Sequence, residues 1–340
     1  MRHSKVGVCD NCFPYFCSMV HVAVLVLKNA VVASITDAAY LLARVNEFLK
    51  MDGKAPAFEI QLVGLCAETA YNGGLFSIKA DVIYDQRKQT DLIIIPSLAG
   101  HASGAVYLNK DFAPWIAIQY KNGAAVASLC TGAFLLAFSG LLKGKQCTTH
   151  WAYANEFRYF YPAVTLVDEK VITDQDGLYS SGGSNAYWNL LIHLVEKYAG
   201  REMAIRTAKY FVIDIDKKDQ SPFIIFNGLK DHTDELVLNV QQFIEVNYAD
   251  KSTVEQLAER FFVTRRTLER RFKKATRNTA VEYTQKVKME AAKKQLEIGR
   301  KNINEIMFDV GYADIQTFRE VFKWVTGMTP IEYRNKYRDY

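Results

Sequence analysis

The 340-residue sequence contains no apolar run as long as the ~20 residues that a membrane-spanning helix requires. Its most apolar early stretch, HVAVLVLKNAVVA, is interrupted by Lys28 and Asn29, which favours a buried strand over a signal sequence. Apolar residues make up 49% of the chain and charged residues 23%, as in soluble globular proteins. A membrane-embedded protein is therefore excluded, and we expect no membrane partner.

Cysteine is also scarce, with six residues, and half of them lie together in CDNCFPYFC at 9–17. Cys9 and Cys12 supply two metal-ligand positions, but no second CxxC and no HxxxH completes a zinc site. In a long chain without an export signal, unpaired cysteines indicate reduced thiols in a cytoplasm. We therefore predict no metal and no other cofactor. Residues 1–19 are expected to form a disordered leader, with Met19 as an alternative start.

Length and charge both divide the chain. At 340 residues it is too long for one ordinary domain, so we expect two. Residues 251–340 contain 20 Lys and Arg against 12 Asp and Glu, a net charge of +8. The first 250 residues contain 22 against 25, a net charge of −3. A basic C-terminal part on a mildly acidic body indicates that one part binds a polyanion.

The first two hundred residues alternate short apolar runs with helical patterns. The apolar runs are VAVLVL (22–27), FEIQLVGL (58–65), DLIIIP (91–96) and AAVASL (124–129). Short apolar strands between amphipathic helices predict an α/β domain, a parallel sheet flanked by helices, which we place at residues 20–200. Binding sites in such sheets form where strands end, and Cys130 directly follows one of these strands.

The segment ASLCTGAFLLAFSGLLKGKQCTTHW (127–151) has the pattern of a strand, a tight turn at Cys130 and a helix. The helix N-terminus would favour a thiolate there. N–H groups of Thr131 and of the loop after Pro96 could form an oxyanion hole, and His150 could act as the base. Alternatively, Cys130 is a small buried residue in a tight turn and His150 caps a helix. The spacing alone leaves both interpretations open.

Residues 20–200 resemble the PfpI/ThiJ branch of the class I glutamine-amidotransferase-like superfamily. The resemblance is carried by C-T-G-A-F, G-L-L-x-G and T-T-H-W in the segment 127–151, and by SSGGSNAYWNLLIHLVEKYAG at 180–200. It implies an amidotransferase-like fold in which Cys130 has the nucleophile position and His150 that of the neighbouring histidine. Together with Thr131 these residues would line a vestigial nucleophile-like pocket.

The residues that support catalysis in that family are changed in this sequence. The acid that usually follows the first strand falls near Ser34, with Asp37 one turn later. The loop after DLIIIP is SLAG, without the usual glycine pair, and Asn189 stands where relatives tend to carry aspartate. Three further acids, none with motif support, are Asp168, Asp174 and Asp176. We therefore name no catalytic residue and expect a pocket that binds a small effector or a domain that dimerises.

After a charged, proline-containing stretch at 201–231, which we interpret as a linker, the chain becomes helical. In TVEQLAERFFVTRRTLERRFKKA (253–275), apolar residues at helical spacing predict one short helix, and Thr264 suits the N-cap of a second. Leu268 and Phe272 should face inward, which leaves the basic residues of the second helix exposed. Two short helices joined by a tight turn, the second rich in arginine, indicate a helix-turn-helix.

The same arrangement recurs in NINEIMFDVGYADIQTFREVFKWVTGMTPIEYR (302–334), where Gly311 suits the turn and Phe318 and Phe322 form the core face. A helix at 280–299 should hold the two units at a fixed distance. Two such units in the net-basic part of the chain favour nucleic-acid binding over a solvated helical face. The residues expected to contact DNA are Arg265, Arg266, Glu269, Arg270, Lys273, Lys274, Gln316 and Arg319.

Residues 232–340 closely resemble the DNA-binding domain of the AraC/XylS family. The second unit carries the family signature in DVGY, FREVFK and GMTPIEYR. The first unit departs from it at Phe261 and Phe262, which stand where relatives often have glycine, and after Lys274, where RNTAVEY replaces the usual G-x-S-P. The resemblance implies an all-α domain with two helix-turn-helix units.

An amidotransferase-like domain ahead of an AraC-type domain resembles the GlxA-type branch of transcriptional regulators. The resemblance implies a cytoplasmic homodimer that binds double-stranded DNA and a small effector, such as an amino acid or a quaternary amine, with RNA polymerase as a further partner. Trp151, Tyr187 and Trp188 could supply a cation–π face for such an effector or could serve in core packing. The rival hypothesis is an active cysteine amidase or isomerase of the PfpI class that also binds DNA.

Overall fold

The computed structural model describes residues 19–86, 89–230 and 232–338. The chain divides into two compact units. The first comprises the described residues up to His150 together with Phe160–Lys218, and the second comprises Trp151–Tyr159 together with the described residues from Asp219 onward. The predicted leader, apart from Met19, and the cysteines of its CxxC lie outside the described residues.

The first unit is built on a mostly parallel sheet. Its described strands are β1 (Val20–Val26), β2 (Phe58–Gly64), β3 (Glu68–Tyr71), β4 (Phe76–Lys79), β5 (Val82–Ile83), β6 (Leu92–Ile95), β7 (Ala125–Ser128), β8 (Gln146–Cys147), β9 (Thr165–Leu166), β10 (Ile172–Gln175) and β11 (Leu178–Ser181). The main sheet has the order β10-β11-β7-β6-β1-β2-β5, and all its neighbours are parallel except β10 and β11. The pairs β3-β4 and β8-β9 form two small additional sheets.

The apolar runs of the sequence become the centre of this sheet. Residues 22–25 of β1 and all four residues of β6 are completely buried. Because β1, β6, β7 and β11 are parallel neighbours, their carboxyl ends meet at one edge, where ligands bind in sheets of this kind. The predicted α/β domain with a parallel sheet flanked by helices is confirmed.

Seven described helices precede Val212. They are α1 (Val32–Met51), α2 (Ala102–Leu108), α3 (Phe112–Lys121), α4 (Ala133–Phe138), α5 (Ala154–Phe160), α6 (Ala186–Ala199) and α7 (Arg201–Phe211). Helix α7 packs on α1, where Tyr40 meets Phe211 and Phe48 meets Tyr210 in edge-to-face contacts with centroids 5.8 and 5.3 Å apart.

The linker predicted at 201–231 is therefore much shorter than expected. Residues 201–211 form α7 because Met203, Ala204, Thr207 and Ala208 share one buried helical face. The charged residues that suggested a linker occupy the opposite face of the same helix. Further along, Phe226 and Leu229 already pack against the core of the second unit.

The second unit is helical, as predicted. Its described helices are α8 (Glu235–Val246), α9 (Val254–Arg260), α10 (Arg265–Thr276), α11 (Ala280–Ile298), α12 (Ile303–Asp309), α13 (Ile315–Thr326) and α14 (Pro330–Tyr337). Helices α8 to α10 surround one core with Tyr283 of α11, and α12 to α14 surround another with Met289 and Leu296 of the same helix. The single helix α11 thus joins two small cores.

The part of the chain that the structure describes contains neither a membrane-spanning helix nor a metal-binding cluster. None of its helices is both long and apolar enough to cross a membrane. None of its clusters of His, Cys, Asp and Glu side chains has three members placed to hold a metal ion. The three described cysteines, Cys66, Cys130 and Cys147, are free thiols.

Candidate functional sites

The first candidate site lies at the carboxyl end of β7, where the chain turns sharply at Cys130 into α4. Cys130 has a φ of 52°, which is unusual for a side chain with a Cβ, and Leu129 before it is extended. A Cβ on Gly132 would lie 2.6 Å from the carbonyl oxygens of both Ile95 and Pro96, so only glycine lets this turn pack on the end of β6. The turn has the strained strand-to-helix geometry that presents a nucleophile in many hydrolases.

The environment of the Cys130 thiol disfavours its charged form. The residue is 4% exposed. Burial raises the pKa of the Cys130 thiol, and the opposing hydrogen bonds from the Thr131 backbone and the Ser97 side chain do not compensate. The thiolate, one of the two interpretations that the sequence left open, is therefore not stabilised here, because helix α4 has only six residues and the thiol is buried.

Of the N–H groups expected to form an oxyanion hole, those of the loop after Pro96 are already engaged within the protein. Those of Ser97, Leu98 and Ala99 all donate hydrogen bonds. Their acceptors are Ser34 Oγ at 2.9 Å, Thr131 Oγ1 at 2.9 Å and the Asn29 carbonyl oxygen at 2.7 Å. An oxyanion stabilised by this loop would have to displace one of these acceptors.

The position of the family's acid is occupied by a structural serine. The Ser34 hydroxyl donates to the Val31 carbonyl oxygen at 2.7 Å. One turn later, Asp37 accepts a hydrogen bond of 2.6 Å from the Tyr187 hydroxyl, and Tyr187 lies within electrostatic range of Cys130. Burial, reinforced by Asp37, raises the pKa of Tyr187, so the phenol remains a proton donor. Asp37 is thus paired with a phenol.

His150 is placed beside the same turn. Its chain neighbour Thr149 donates its hydroxyl to the Cys130 carbonyl oxygen at 3.0 Å. Burial lowers the pKa of His150, so its imidazole is neutral at neutral pH. Trp151, the next residue, belongs to the second unit.

Two of the three further acids considered from the sequence, Asp174 and Asp176, lie at the far end of β11. Asp174 pairs with His193 at 2.9 Å, and Asp176 pairs with Lys145 at 2.9 Å. Both acids flank the turn between β10 and β11, whereas the pocket borders the carboxyl end of β11. Asn189, where relatives tend to carry aspartate, donates to a backbone carbonyl oxygen at 2.5 Å. These groups do not reach the Cys130 turn.

A group of aromatic side chains adjoins Asp37. Trp188 stacks on Tyr187 with centroids 5.9 Å apart and contacts Phe211 at 5.2 Å, and Tyr40 also contacts Phe211. We call Asp37, Tyr40, Tyr187, Trp188 and Phe211 the Asp37 cluster. The sequence did not indicate Phe211 as a member of this cluster, because residues 201–211 were interpreted as a linker. Tyr40 could have been identified, since it lies one helical turn after Asp37 in the sequence.

The second candidate site is formed by the two predicted helix-turn-helix units, which share one plan. The side chains of Thr264 and Asp314 cap the recognition helices α10 and α13 by accepting hydrogen bonds from N–H groups three residues on. These caps are fifty residues apart in the sequence, as the repeat predicts. The completely buried anchors of the two helices are Leu268, Phe272, Phe318 and Phe322.

The residues predicted to contact DNA differ in how they are paired. Arg265 forms ion pairs with Glu269 and Glu255, whereas Lys273 pairs with Glu282 at 3.6 Å. On α13, the Gln316 amide donates to Glu320 at 2.8 Å. Within the described ranges, no hydrogen bond or ion pair engages the exposed side chains of Arg266, Arg270, Lys274 and Arg319. The last four cations can therefore meet a nucleic acid without first breaking a contact.

The first unit keeps the turns of the second without using glycine. Phe262 has a φ of 54° where the second unit has Gly311 at 76°, and Arg277 has a φ of 60° where it has Gly327 at 72°. Thr279 then opens α11 with a capping box, as happens at the start of α14. The departures from the family pattern thus change the residues but preserve the backbone geometry.

Replacing Phe262 by glycine should stabilise the second unit by about 1 kcal/mol, because a residue with a Cβ pays roughly that much to adopt a left-handed conformation. Phe262 is 96% exposed, so its ring contributes no packing that would be lost. Urea unfolding of the full chain measures the change. Phe262→Ala removes the ring but keeps the Cβ and should show no gain, and an equal gain in both variants would contradict the backbone explanation.

Two family models match this chain. The model of the DJ-1/PfpI family matches residues 22–197, just over half of the chain, and a model described as a helix-turn-helix domain matches residues 257–336. Among curated proteins, the chain is 26% identical over 219 residues to the HTH-type transcriptional regulator ArgR of Pseudomonas aeruginosa. That match covers 64% of this chain and 66% of the relative, just under two thirds of its length.

Two further comparisons extend the likeness. The HTH-type transcriptional regulator GbdR of Pseudomonas aeruginosa is 22% identical over 311 residues, which cover 91% of this chain and 83% of GbdR. A crystal structure of a putative transcriptional regulator protein from Vibrio parahaemolyticus is similar in fold, with a TM-score of 0.51 and 21% identity. The structural match covers 57% of this chain and 99% of the Vibrio chain.

Proposed function

We propose that this chain, which belongs to the DJ-1/PfpI family, is a DNA-binding transcriptional regulator whose first unit binds a small effector without converting it. Its AraC-type helix-turn-helix domain binds the DNA. The observation that carries this proposal is the engaged loop after β6. Three successive N–H groups that would stabilise an oxyanion already donate to Ser34, Thr131 and Asn29. The buried, protonated thiol of Cys130 and the pairing of Asp37 with a phenol support the same conclusion.

The chemistry of the Asp37 cluster favours an effector with an ammonium group. Asp37 supplies a carboxylate, and Tyr187 and Trp188 supply stacked aromatic faces beside it. A cation next to a carboxylate and an aromatic face gains both Coulombic and cation–π stabilisation. The effector class is therefore an amino acid or another amine, including quaternary amines.

In the second unit, both recognition helices enter successive major grooves on one face of double-stranded DNA, about 34 Å apart. Arg266, Arg270 and Arg319 read base edges, and Lys274 lies later on its helix and contacts phosphate. Glu269 and Gln316 face the bases, whereas Arg265 and Lys273 must first exchange their intramolecular ion pairs. The regulator acts in the cytoplasm as a homodimer, and RNA polymerase is its partner at the promoter.

A pair of substitutions tests whether the pocket senses or catalyses. Cys130→Ser should leave effector binding within about twofold of wild type, because serine is nearly isosteric. Asp37→Asn should weaken binding of a primary ammonium ligand by about 10- to 100-fold, since a hydrogen bond to a charged group contributes roughly 1.5–3 kcal/mol. Thermal stabilisation of the full chain by a panel of amino acids and quaternary amines identifies the ligand, and calorimetry then gives the affinities.

Mass spectrometry of the bound ligand separates this proposal from its rival, an active cysteine amidase or isomerase. We expect the ligand to be recovered unchanged at a stoichiometry of about one per chain. Conversion of the ligand by the wild type that is lost in Cys130→Ser would instead establish the enzyme, with Asp37 as the first acid to examine.

A further inference from the structure

The second unit contains a cavity of about 180 Å³ between its two helix-turn-helix units. The start of α9, the first half of α11 and the turn before α13 form its walls. The lining residues are Ser252, Val254, Leu257, Ala280, Val281, Thr284, Gln285, Lys288 and Tyr312. None of these described residues belongs to recognition helix α10 or α13, so the cavity is separate from the DNA-reading faces.

Lys288 is a buried cation in the wall of this cavity. It is 7% exposed, and its Nζ lies 5.3 Å from the centroid of the Tyr312 ring. No acceptor within the described ranges forms a hydrogen bond or ion pair with it. Burial lowers the pKa of Lys288, and the nearby Lys251 adds to this effect against the weaker influence of Asp250. A buried lysine without an anion is costly, and binding an anion would relieve that cost.

We propose that this cavity binds a small organic carboxylate. Lys288, Thr284 and Gln285 can hold the carboxylate, whereas Val254, Leu257 and Val281 present carbon to the rest of the molecule. A cavity of about 150 Å³ holds benzene, so this one has room for an apolar body of about four to six carbons. A phosphate group of duplex DNA carries no such apolar body. The duplex to which it is attached is also too wide to enter the cavity.

A bound carboxylate would also act on DNA binding. Its contacts would join α9 and α11 of the first helix-turn-helix unit to Tyr312 of the second. Gly311, at the turn of the second unit, lies so close that a Cβ there would be 2.9 Å from Lys288 Nζ. The ligand would therefore set the relative position of the two recognition helices, which must match the spacing of successive major grooves.

Calorimetry on the full chain with 4-methylpentanoate and its uncharged analogue 4-methylpentanamide tests the proposal. We expect the wild type to bind the carboxylate at least tenfold more tightly than the amide. Lys288→Met keeps the length and the apolar stem of the side chain and should remove that preference. Lys294→Met, an exposed lysine on the same helix, should retain it. Retained operator binding by both variants shows that the second unit is folded.

Two results would overturn the site. The first is a wild type that does not distinguish the carboxylate from the amide, a comparison that requires no variant. The second is unchanged carboxylate binding by Lys288→Met. If the carboxylate fails to bind and Lys288→Met instead weakens DNA binding with a shallower salt dependence, the lysine contacts a DNA phosphate and the small-ligand site is wrong.

Discussion

Gly311→Ala should destabilise the second unit by roughly 2–5 kcal/mol and abolish operator binding at temperatures where the wild type binds. Gly311 has a φ of 76°, a conformation that costs a residue with a Cβ roughly 1–2 kcal/mol. In addition, its Cβ would lie 1.9 Å from the Ala249 carbonyl oxygen, a backbone atom that can move only if the loop before α9 moves. Such overpacking typically costs about 1–3 kcal/mol more.

Gly327→Ala is the matched control in the same unit. Gly327 has nearly the same φ, 72°, but the nearest atom to its Cβ would be an Asp219 carboxylate oxygen at 3.4 Å. We expect it to lose only the conformational part, about 1–2 kcal/mol. Hydrogen–deuterium exchange measures both variants, with faster exchange in α12 and α13 and unchanged exchange in α4. Equal losses at the two glycines would show that the approach to Ala249 is unimportant.

Arg270→Ala should weaken binding to the specific operator by about 1–3 kcal/mol, or roughly 5- to 150-fold, and relax the base preference at one position. The physical reason is that Arg270 is exposed, lies on the recognition helix α10 and has no ion pair with a described residue. Its guanidinium can therefore form two hydrogen bonds with a guanine edge at no internal cost. Affinity measurements on an operator obtained by in vitro selection, with all single-base variants, test this expectation.

Lys274→Ala is the control for Arg270→Ala, because it removes one cation from the same helix. We expect it to weaken specific and random DNA about equally and to reduce the salt dependence of binding by about one ion. If both variants lost the same affinity on both kinds of DNA, the division of α10 into base-reading and phosphate-contacting residues would be wrong.

The helix-turn-helix units could be predicted almost completely from the sequence. Their caps at Thr264 and Asp314 and their anchors at Phe272 and Phe322 depend on contacts within about forty residues, so helical periodicity and capping patterns reveal them. Phe262 shows where this local reasoning reaches its limit. Its left-handed φ is imposed by the chain on both sides and could not be inferred from a residue type that disfavours it.

The predicted linker and the Cys130 thiol show properties that could not be predicted from the local sequence. Charged residues suggested that residues 201–211 connect two domains, yet α7 forms because one of its faces is buried in the first unit. Likewise, the pattern around Cys130 left open whether the thiol is activated, because the charge of a thiol depends on the solvent and donors around it. Those surroundings include Ser97, which lies 33 residues away in the chain.

The alternation of strands and helices along the chain, the repeat of two DNA-binding units and the basic charge that accompanies them follow from periodicity and composition, since these are properties of neighbouring residues. The engagement of the loop after β6 by Ser34 and Thr131, the pairing of Asp37 with Tyr187 and the burial of Lys288 follow only from the packed chain. Each joins residues from different elements, and the free energy of a charge or a polar group depends on those distant neighbours rather than on its place in the sequence.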